Sequence, residues 1–217
     1  MTHGTVVVKD EMSEPGPAKA STRERILEAA TELFYARGLR SVSADKIIER
    51  AGITKVTFYR HFRTKDELVV AYLEGVAEQE RADVAATLTR ADGDTEEAIR
   101  LFAETIGTIS CQPGFRGCPF INAAAEYADP DHPVRRTVAA HRHWVRATLE
   151  EMVAPLGPTD PADVADQLVL LRDGAMVSGY LGNPATVSRS LHRAARAVLG
   201  SGGSGTQADP SGPTTAA

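Results

Sequence analysis

Apolar side chains recur at spacings of three and four residues between residues 21 and 199, and this periodicity is typical of α-helices that bury one face. Clusters of Gly, Pro, Asp and Asn interrupt the periodicity and indicate turns between the helices. The pattern therefore predicts an all-α protein with about nine helices.

The first four predicted helices each open at a hydroxyl side chain that can accept hydrogen bonds from the amides of the first turn. These residues are Ser21, Ser43, Thr54 and Thr64. Glu24 and Glu67 stand three positions after the first and the last of them, so these two helix starts have the sequence of a capping box.

The second and third predicted helices are short and lie close together in the sequence. Gly38 ends the first helix and Gly52 ends the second, because glycine readily adopts the left-handed conformation that closes a helix. Phe58 and Phe62 lie four residues apart on the third helix, and we expect both in the core. Two short helices joined by a tight turn are the pattern of a helix-turn-helix.

The remaining periodic segments predict six further helices, at residues 64–89, 95–112, 119–128, 133–154, 161–181 and 184–199. The chain ends, residues 1–20 and 200–217, have no apolar face and are predicted to be disordered tails. Between them we expect a helix-turn-helix domain at residues 21–67 and a second helical domain at residues 68–199.

Composition limits where the protein can act. A chain of 217 residues with 42% hydrophobic content can bury one sizeable core, or one core with a small appended domain. It contains no run of 18 apolar residues, and its first 20 residues lack the apolar stretch of a signal peptide. We therefore expect a cytoplasmic protein without a membrane partner.

Charge is distributed unevenly along the chain. Residues 21–65 contain ten Lys and Arg against five Asp and Glu, a net charge of +5, whereas the whole chain carries −5. The rest of the chain therefore carries −10, so the molecule has a basic segment at residues 21–65 and is acidic elsewhere. A polyanion such as DNA would be attracted to the basic segment alone.

The segment RERILEAATELFYARGLRSVSADKIIERAGITKVTFYRHFRTKDEL resembles the N-terminal domain of the tetracycline-repressor (TetR-like) family of bacterial transcription regulators. The resemblance spans about 45 residues. Its recurring features are Ile26, Ala29, Ala30, Phe34, Gly38, Ile47, Ala51, Gly52, Thr57, Tyr59, Phe62, Lys65 and Leu68. Val56 departs from the family, which commonly has a smaller residue there.

The resemblance implies that the third helix lies in the DNA major groove with its N-terminal residues at base edges. Lys55 can then donate to guanine, Val56 can contact a thymine methyl, and Thr57 can hydrogen-bond a base or a phosphate. Residues expected to contact the DNA backbone are Tyr59, Arg60, His61 and Lys65, and the family assigns such roles to the first, third and fourth of them. The capping residues Ser43 and Thr54 complete the predicted DNA-binding set.

Ligand-binding candidates in the second domain combine apolar bulk with a few polar groups, as small-molecule sites do. The apolar candidates are Phe102, Ile106, Phe120, Trp144 and Met176. The polar candidates are Glu126, His141 and Asp173, of which the carboxylates are the sharper, because carboxylates beside apolar stripes are rarely buried without a task. Each aromatic side chain taken singly is better explained by core packing. The expected ligand is a small, largely apolar effector molecule.

The helix predicted at residues 161–181 is apolar on more than one face, so a single core cannot cover it. Leu168, Leu171 and Ala175 mark one stripe, while Val169, Leu170, Val177 and Leu181 mark others. Small residues would let another helix approach closely: Gly174, Ala175, Ser178 and Gly179. The family builds its dimer from the last two helices, so we expect a homodimer through residues 161–199. The alternative is a helix at the centre of a monomer.

Enzyme and metal chemistry find little support in the sequence. It contains no nucleophile elbow, phosphate loop or metal-binding helix motif. His141 and His143 are two residues apart on a helix and point about 200° away from each other, so they cannot share an ion. Two cysteines, Cys111 and Cys118, are too few for a disulfide framework. A zinc site formed by these two cysteines and His132 is left as an alternative. We expect no cofactor, no metal and no catalysis.

These features predict a ligand-responsive transcriptional repressor that binds a palindromic double-stranded operator as a dimer and is released by a small molecule. One alternative is a DNA-bound structural or protein-recruiting factor without a small ligand, which a second domain without a cavity would favour. A second alternative is an enzyme that uses the second domain as a catalytic domain.

Overall fold

The computed structural model describes residues 20–202, and side chains as far as residue 200. Within this range the chain forms nine α-helices, two short 3₁₀ turns and no strand, which confirms the all-α class. The α-helices are α1 (Thr22–Arg37), α2 (Ala44–Ala51), α3 (Lys55–His61), α4 (Lys65–Ala91), α5 (Thr95–Ser110), α6 (Pro119–Glu126), α7 (Pro133–Val153), α8 (Pro161–Leu181) and α9 (Val187–Gly202).

The last helix departs most from its predicted bounds. Residues 184–186 form a 3₁₀ turn, and α9 begins at Val187 and runs beyond residue 199 to Gly202. The side chain of Asn183 accepts a hydrogen bond from the amide of Ala185 at 3.1 Å. This bond stabilises a tight turn just before Val187. The two predicted tails lie outside the described residues, apart from residues 20 and 200–202.

Side chains cap the helix starts that the sequence predicted. Ser21 accepts a hydrogen bond from the amide of Glu24 at 3.2 Å, and the Glu24 carboxylate accepts one from the amide of Ser21 at 2.7 Å. Thr64 accepts from the amide of Glu67 at 3.0 Å, whereas the Glu67 carboxylate accepts from the amide of Arg63, one residue before the cap. These contacts fix where α1 and α4 begin, and with them the frame around α2 and α3.

Two clusters of buried side chains hold the helices together. The first joins α1–α4 to α6 and the start of α7, and its largest members include Phe34, Phe58, Leu73 and Phe120. The second joins the end of α4 to α5, α8, α9 and the end of α7. We refer to residues 21–67 as the head and to the rest of the described chain as the body. Because the first cluster crosses residue 67, the head packs on the body through a continuous core.

Two of the four small residues of α8 are buried within the same chain, whereas Gly174 and Ser178 are exposed. Ala175 is buried, and a Cβ atom at Gly179 would clash with the side chain of Ser110 on α5. The expectation that Gly179 receives a partner helix is therefore wrong, because Ser110 of α5 already occupies that position. The exposed apolar face of α8 runs instead through Leu170, Val177 and Leu181, which are 70%, 45% and 74% exposed.

Among the described helices, none combines the length and the apolar character that crossing a membrane requires. Within residues 20–202, no three His, Cys, Asp or Glu side chains come together as metal ligands would. His132, one member of the zinc alternative, instead lies with its Nε2 atom 3.4 Å from a carboxylate oxygen of Asp66.

Candidate DNA-reading surface and ligand cavity

The turn between α2 and α3 is held by α1. Arg25 donates from Nη2 to the carbonyl oxygen of Ala51, the last residue of α2, at 2.5 Å. Gly52 follows with a φ of 62°, in the left-handed region that favours glycine. Thr54 then caps α3 by accepting from the amide of Thr57 at 3.2 Å. The start of α3 is thereby fixed against α2.

The first residues of α3 lie on the surface, as direct contact with base edges requires. Val56 is 80% exposed, so its methyl groups are free to meet a thymine methyl. The Lys55 ammonium lies 3.5 Å from the Asp45 carboxylate, and both side chains are exposed, so this pair is weak and can open toward DNA. The Thr57 hydroxyl lies 2.9 Å from the Thr54 hydroxyl and shares its hydrogen-bonding capacity with the cap.

The predicted backbone contacts fall into two groups. Tyr59 and Arg60 are exposed on α3, where a phosphate can reach them. His61 is half-buried, and its Nε2 atom is shielded and has no hydrogen-bond partner among the described residues, which leaves Nδ1 for DNA. The Ser43 hydroxyl caps α2 by accepting a hydrogen bond from the amide of Lys46 at 3.4 Å.

Lys65 has a second task inside the head. Its Nζ atom donates to the carbonyl oxygen of Arg40 at 3.3 Å, and burial lowers the pKa of its ammonium. Lys65 therefore holds the loop between α1 and α2 as well as lying beside α3. All of the residues predicted to bind DNA lie on or next to α2, α3 and the first turn of α4.

A cavity of about 640 Å³ lies where α1, α4, α5, α7, α8 and α9 meet. Its volume falls in the range of small-molecule sites, and its wall is mostly apolar. Aromatic rings contribute much of that wall: Tyr35, Tyr72, Phe102, Phe115 and Trp144.

Half of the ligand-binding candidates from the sequence reach this wall. Phe102, Ile106, Trp144 and Met176 line the cavity, whereas Phe120, Glu126, His141 and Asp173 do not. Phe120 is fully buried and stacks on His141 with ring centroids 3.5 Å apart. Asp173 accepts from Arg142 at 2.7 Å. These side chains have partners within the chain, so their positions lend no support to a role in ligand contact.

Glu126 reaches out of the body and binds the head. Its two carboxylate oxygens accept from the amides of Leu39 and Arg40 at 2.9 and 2.7 Å. Gly38 precedes them with a φ of 89°, and a Cβ there would lie only 3.1 Å from the carboxylate. Glu126 therefore fixes the loop that leads into α2. A carboxylate beside an apolar stripe did have a task, but the task is to join the two domains.

The cavity wall contains an ion pair between α4 and α8. Arg172 donates from Nη2 to the Oε1 atom of Glu80 at 2.5 Å, and the side chains are only 17% and 28% exposed. Burial acts to lower the pKa of Arg172, but the Glu80 carboxylate and the nearby Cys118 outweigh it, so the pKa is raised and the guanidinium stays charged.

His141 lies behind this ion pair and is neutral. Burial lowers its pKa to about 3, with further lowering by Arg172, Arg81 and Arg142. Its Nε2 atom lies 3.3 Å from Glu80, but not in hydrogen-bond geometry, and both ring nitrogens lack a partner within the described part of the chain. The contact between His141 and Glu80 is therefore not an ion pair.

A second junction joins the cavity to the head. The Tyr35 hydroxyl accepts from the amide of Arg116 at 2.9 Å and donates to the carbonyl oxygen of Gly117 at 3.1 Å. Arg116 in turn donates from Nη1 to the carbonyl oxygen of Ala36 at 2.6 Å. Since the ring of Tyr35 also lines the cavity, α1 touches both the cavity and the loop before α6.

Comparison with known proteins gives this arrangement its context. Residues 26–72 match the family model for bacterial regulatory proteins of the tetR family, and residues 95–197 match the model for the tetracyclin repressor-like C-terminal domain. A TetR-family transcriptional regulator from Streptomyces coelicolor is 42% identical with a TM-score of 0.80, over 84% of this chain and 96% of that one. The chain belongs to the TetR family of transcriptional regulators.

Other TetR-family matches are more distant. The HTH-type transcriptional regulator LmrA of Bacillus subtilis is 29% identical over 134 residues, which cover 60% of this chain and 71% of LmrA. The HTH-type transcriptional repressor NemR of Escherichia coli is 25% identical over 131 residues, or 60% of this chain and 66% of NemR. The family consists of transcription regulators and not of enzymes, and its helix-turn-helix is a DNA-binding element.

Sequence reasoning missed the part of this TetR-family cavity that belongs to the head. Leu27, Thr31 and Tyr35 of α1 line the cavity, and so do Glu80 and Arg172. The spacing of the three α1 residues places them on one helix face, which was a usable signal. Nothing local distinguishes that face from one packed in the core, and the Glu80–Arg172 pair joins residues 92 positions apart.

Proposed function

We propose that this TetR-family protein is a ligand-responsive repressor whose dimer binds a palindromic operator and is released when a small, largely apolar molecule enters the cavity. The observation that carries this proposal is that the head and the body both contribute residues to the cavity wall. Leu27, Thr31 and Tyr35 belong to the head, yet they line the cavity, so an occupant touches the DNA-binding unit directly. The name of the relative NemR, a transcriptional repressor, supports repression as the direction.

Helix α6 offers a second route from the cavity to the head. Cys118 and Pro119 at its start line the cavity, and Glu126 at its end binds the loop that leads into α2. An occupant that displaces α1 or α6 changes the orientation of α3. Because the two recognition helices of a dimer must meet successive major grooves, an error of a few ångströms in their separation shifts the population off DNA.

The exposed apolar face of α8 supports dimerisation. Leu170, Val177 and Leu181 are seven and four residues apart, close to two turns and one turn of helix, so they form one stripe. Pairing with the same stripe of a second chain would remove it from water. A two-fold dimer of this kind presents α3 twice and matches a palindrome.

The alternative is a DNA-bound factor that recruits other proteins and has no small ligand. A cavity of about 640 Å³ with a mostly apolar wall counts against it, because interiors of proteins without ligands are close-packed.

The test couples an operator to a probe of the cavity. An operator would be selected from a pool of random duplexes, and N-phenyl-1-naphthylamine, a neutral apolar dye, would report occupancy by fluorescence. We expect the dye to weaken operator binding and the operator to weaken dye binding by the same factor, as linkage requires. Ile106→Trp fills part of the cavity and should abolish dye binding while the operator still binds. A dye that binds without affecting the operator would exclude ligand control.

A further inference from the structure

The cavity wall is charged where Glu80 meets Arg172, and the donors and acceptors of this pair are not all used. A guanidinium has five N–H groups. Arg172 directs one nitrogen to Glu80 and another to Asp173, at 3.4 Å, and it also contacts the thiol of Cys118. Donors therefore remain on Arg172. Glu80 keeps unused acceptor capacity as well, because the described residues give its carboxylate one hydrogen bond, from Arg172 to Oε1, and a carboxylate has about four acceptor sites.

The charges around this pair already cancel. Glu80 and Asp173 carry two negative charges, and Arg172 and Arg142 carry two positive ones, with Asp173 bound to both arginines. His141 is neutral, as its low pKa requires. Two further charges of opposite sign lie on α4: Arg81, 5.4 Å from the centroid of the Trp144 ring, and Asp83, whose carboxylate accepts from Gln79 at 2.9 Å. Both are exposed to solvent, so water screens them.

A ligand with a charged group at this position would leave a partly buried charge without a counter-charge, which is costly. A hydroxyl avoids this cost, because it can donate to an unused acceptor site of the Glu80 carboxylate and accept from Arg172 at once. We infer that the cavity selects an uncharged molecule with an apolar, ring-sized body and one hydroxyl group that binds between Glu80 and Arg172. This inference rests on the proposed function of the cavity as the effector site.

Four probes with one body and different head groups test the inference. Naphthalene, 2-naphthol, 2-naphthoate and 2-naphthylmethylammonium would compete with N-phenyl-1-naphthylamine for the full chain at pH 7. We expect 2-naphthol to bind about tenfold more tightly than naphthalene, the gain from hydrogen bonds to charged partners, and more tightly than either charged probe. Tightest binding by a charged probe, or equal binding of 2-naphthol and naphthalene, would overturn the inference.

Variants separate the role of Glu80 from that of net charge. Glu80→Gln leaves the cluster with one excess positive charge, so the preference should move from 2-naphthol to 2-naphthoate. Glu78→Gln removes an exposed carboxylate from the same helix, away from the cavity wall, and should keep the wild-type ranking. An unchanged ranking in Glu80→Gln would also overturn the inference. If Glu80→Gln does not fold, as judged by circular dichroism, the wild-type ranking decides.

Failure of this inference can be told from failure of the proposed function. If the dye and naphthalene bind but the hydroxyl adds nothing, only the inference about the head group falls. If neither the dye nor any naphthalene binds, the cavity is not an effector site and both proposals fall.

Discussion

The hydroxyl of Tyr35 donates to the carbonyl oxygen of Gly117 at 3.1 Å, across the junction between the head and the body. The same hydroxyl accepts from the amide of Arg116, and the ring above it forms part of the cavity wall. One side chain thus fastens the head to the body and meets whatever occupies the cavity. If an occupant controls the head, Tyr35 is one place where it does so.

Tyr35→Phe keeps the ring in the wall and removes both hydrogen bonds of the hydroxyl. We expect the free energy of unfolding to fall by about 1 kcal/mol, because the amide of Arg116 loses its partner. Dye affinity should change little, while the factor by which the dye weakens operator binding should shrink toward one. Dye titrations with and without operator measure that factor. Tyr72→Phe, which alters another tyrosine of the same wall, is the control and should retain the wild-type coupling.

Glu126→Gln tests the contact between α6 and the loop before α2. The carboxylate accepts from two amides, and an amide side chain offers only one acceptor oxygen, so one of the two hydrogen bonds is lost. We expect a loss of about 1–2 kcal/mol in unfolding free energy and weaker operator binding. Urea unfolding and operator titration measure the two effects. Glu74→Gln, at an exposed site on α4, should change neither, and equal effects of both variants would contradict a role for this contact.

The helix-turn-helix could be predicted from sequence because its determinants are local. Ser43 and Thr54 cap their helices within three residues, and Gly52 closes α2 where the turn needs a left-handed residue. The cavity could not be assembled in the same way. Tyr35 and Gly117 are 82 residues apart, and only the packing of α1 against the loop before α6 brings them together.

Helix α8 illustrates a different limit. Its sequence indicates two buried faces but cannot say which one faces its own chain, because both are apolar. Gly179 looked suited to a partner helix, and the close approach of Ser110 from α5 fills that place instead. The sequence predicts Glu126 and Asp173 as ligand-binding carboxylates, but neither lines the cavity. Glu126 accepts from the amide of Arg40 and Asp173 accepts from the side chain of Arg142, and both partners are distant in sequence.

The protonation of His141 makes stability depend on pH. Its pKa is about 3 in the folded chain against 6.5 in a free histidine, so between these values the unfolded chain binds more protons. The free energy of unfolding should therefore fall as pH falls below 6.5, by about 2 kcal/mol at pH 5 from this group. Urea unfolding across pH 5–7.5 measures the slope. His141→Gln should flatten it, whereas His143→Gln, on the exposed side of α7, should not.

Leu170→Arg and Leu181→Arg place a charge on the exposed apolar face of α8. We expect either variant to sediment as a folded monomer, because a guanidinium facing its own copy would be buried beside a like charge. Leu156→Arg alters another exposed leucine, in the 3₁₀ turn after α7, and should remain dimeric. Dimers that persist in both α8 variants would place the interface elsewhere.

Lys55 and Arg60 offer a matched pair for separating base reading from phosphate contact, because each replacement by Ala removes one exposed positive charge from α3. Lys65 serves less well, since it also holds the carbonyl oxygen of Arg40. Arg60→Ala should weaken binding to operator and scrambled duplex alike and reduce the salt dependence by about one unit of slope per site.

Lys55→Ala should instead cost about 1–3 kcal/mol on the operator, change scrambled duplex less, and relax the preference at one symmetric pair of base positions. Both half-sites must respond together, because a two-fold dimer presents the same helix to each. Titrations of both duplexes at several salt concentrations give the two signatures. The weak pair with Asp45 predicts that Asp45→Asn leaves the operator preference intact, since it frees the ammonium without removing it. If Lys55→Ala lowers both duplexes equally, the start of α3 holds the DNA backbone and sequence is read elsewhere.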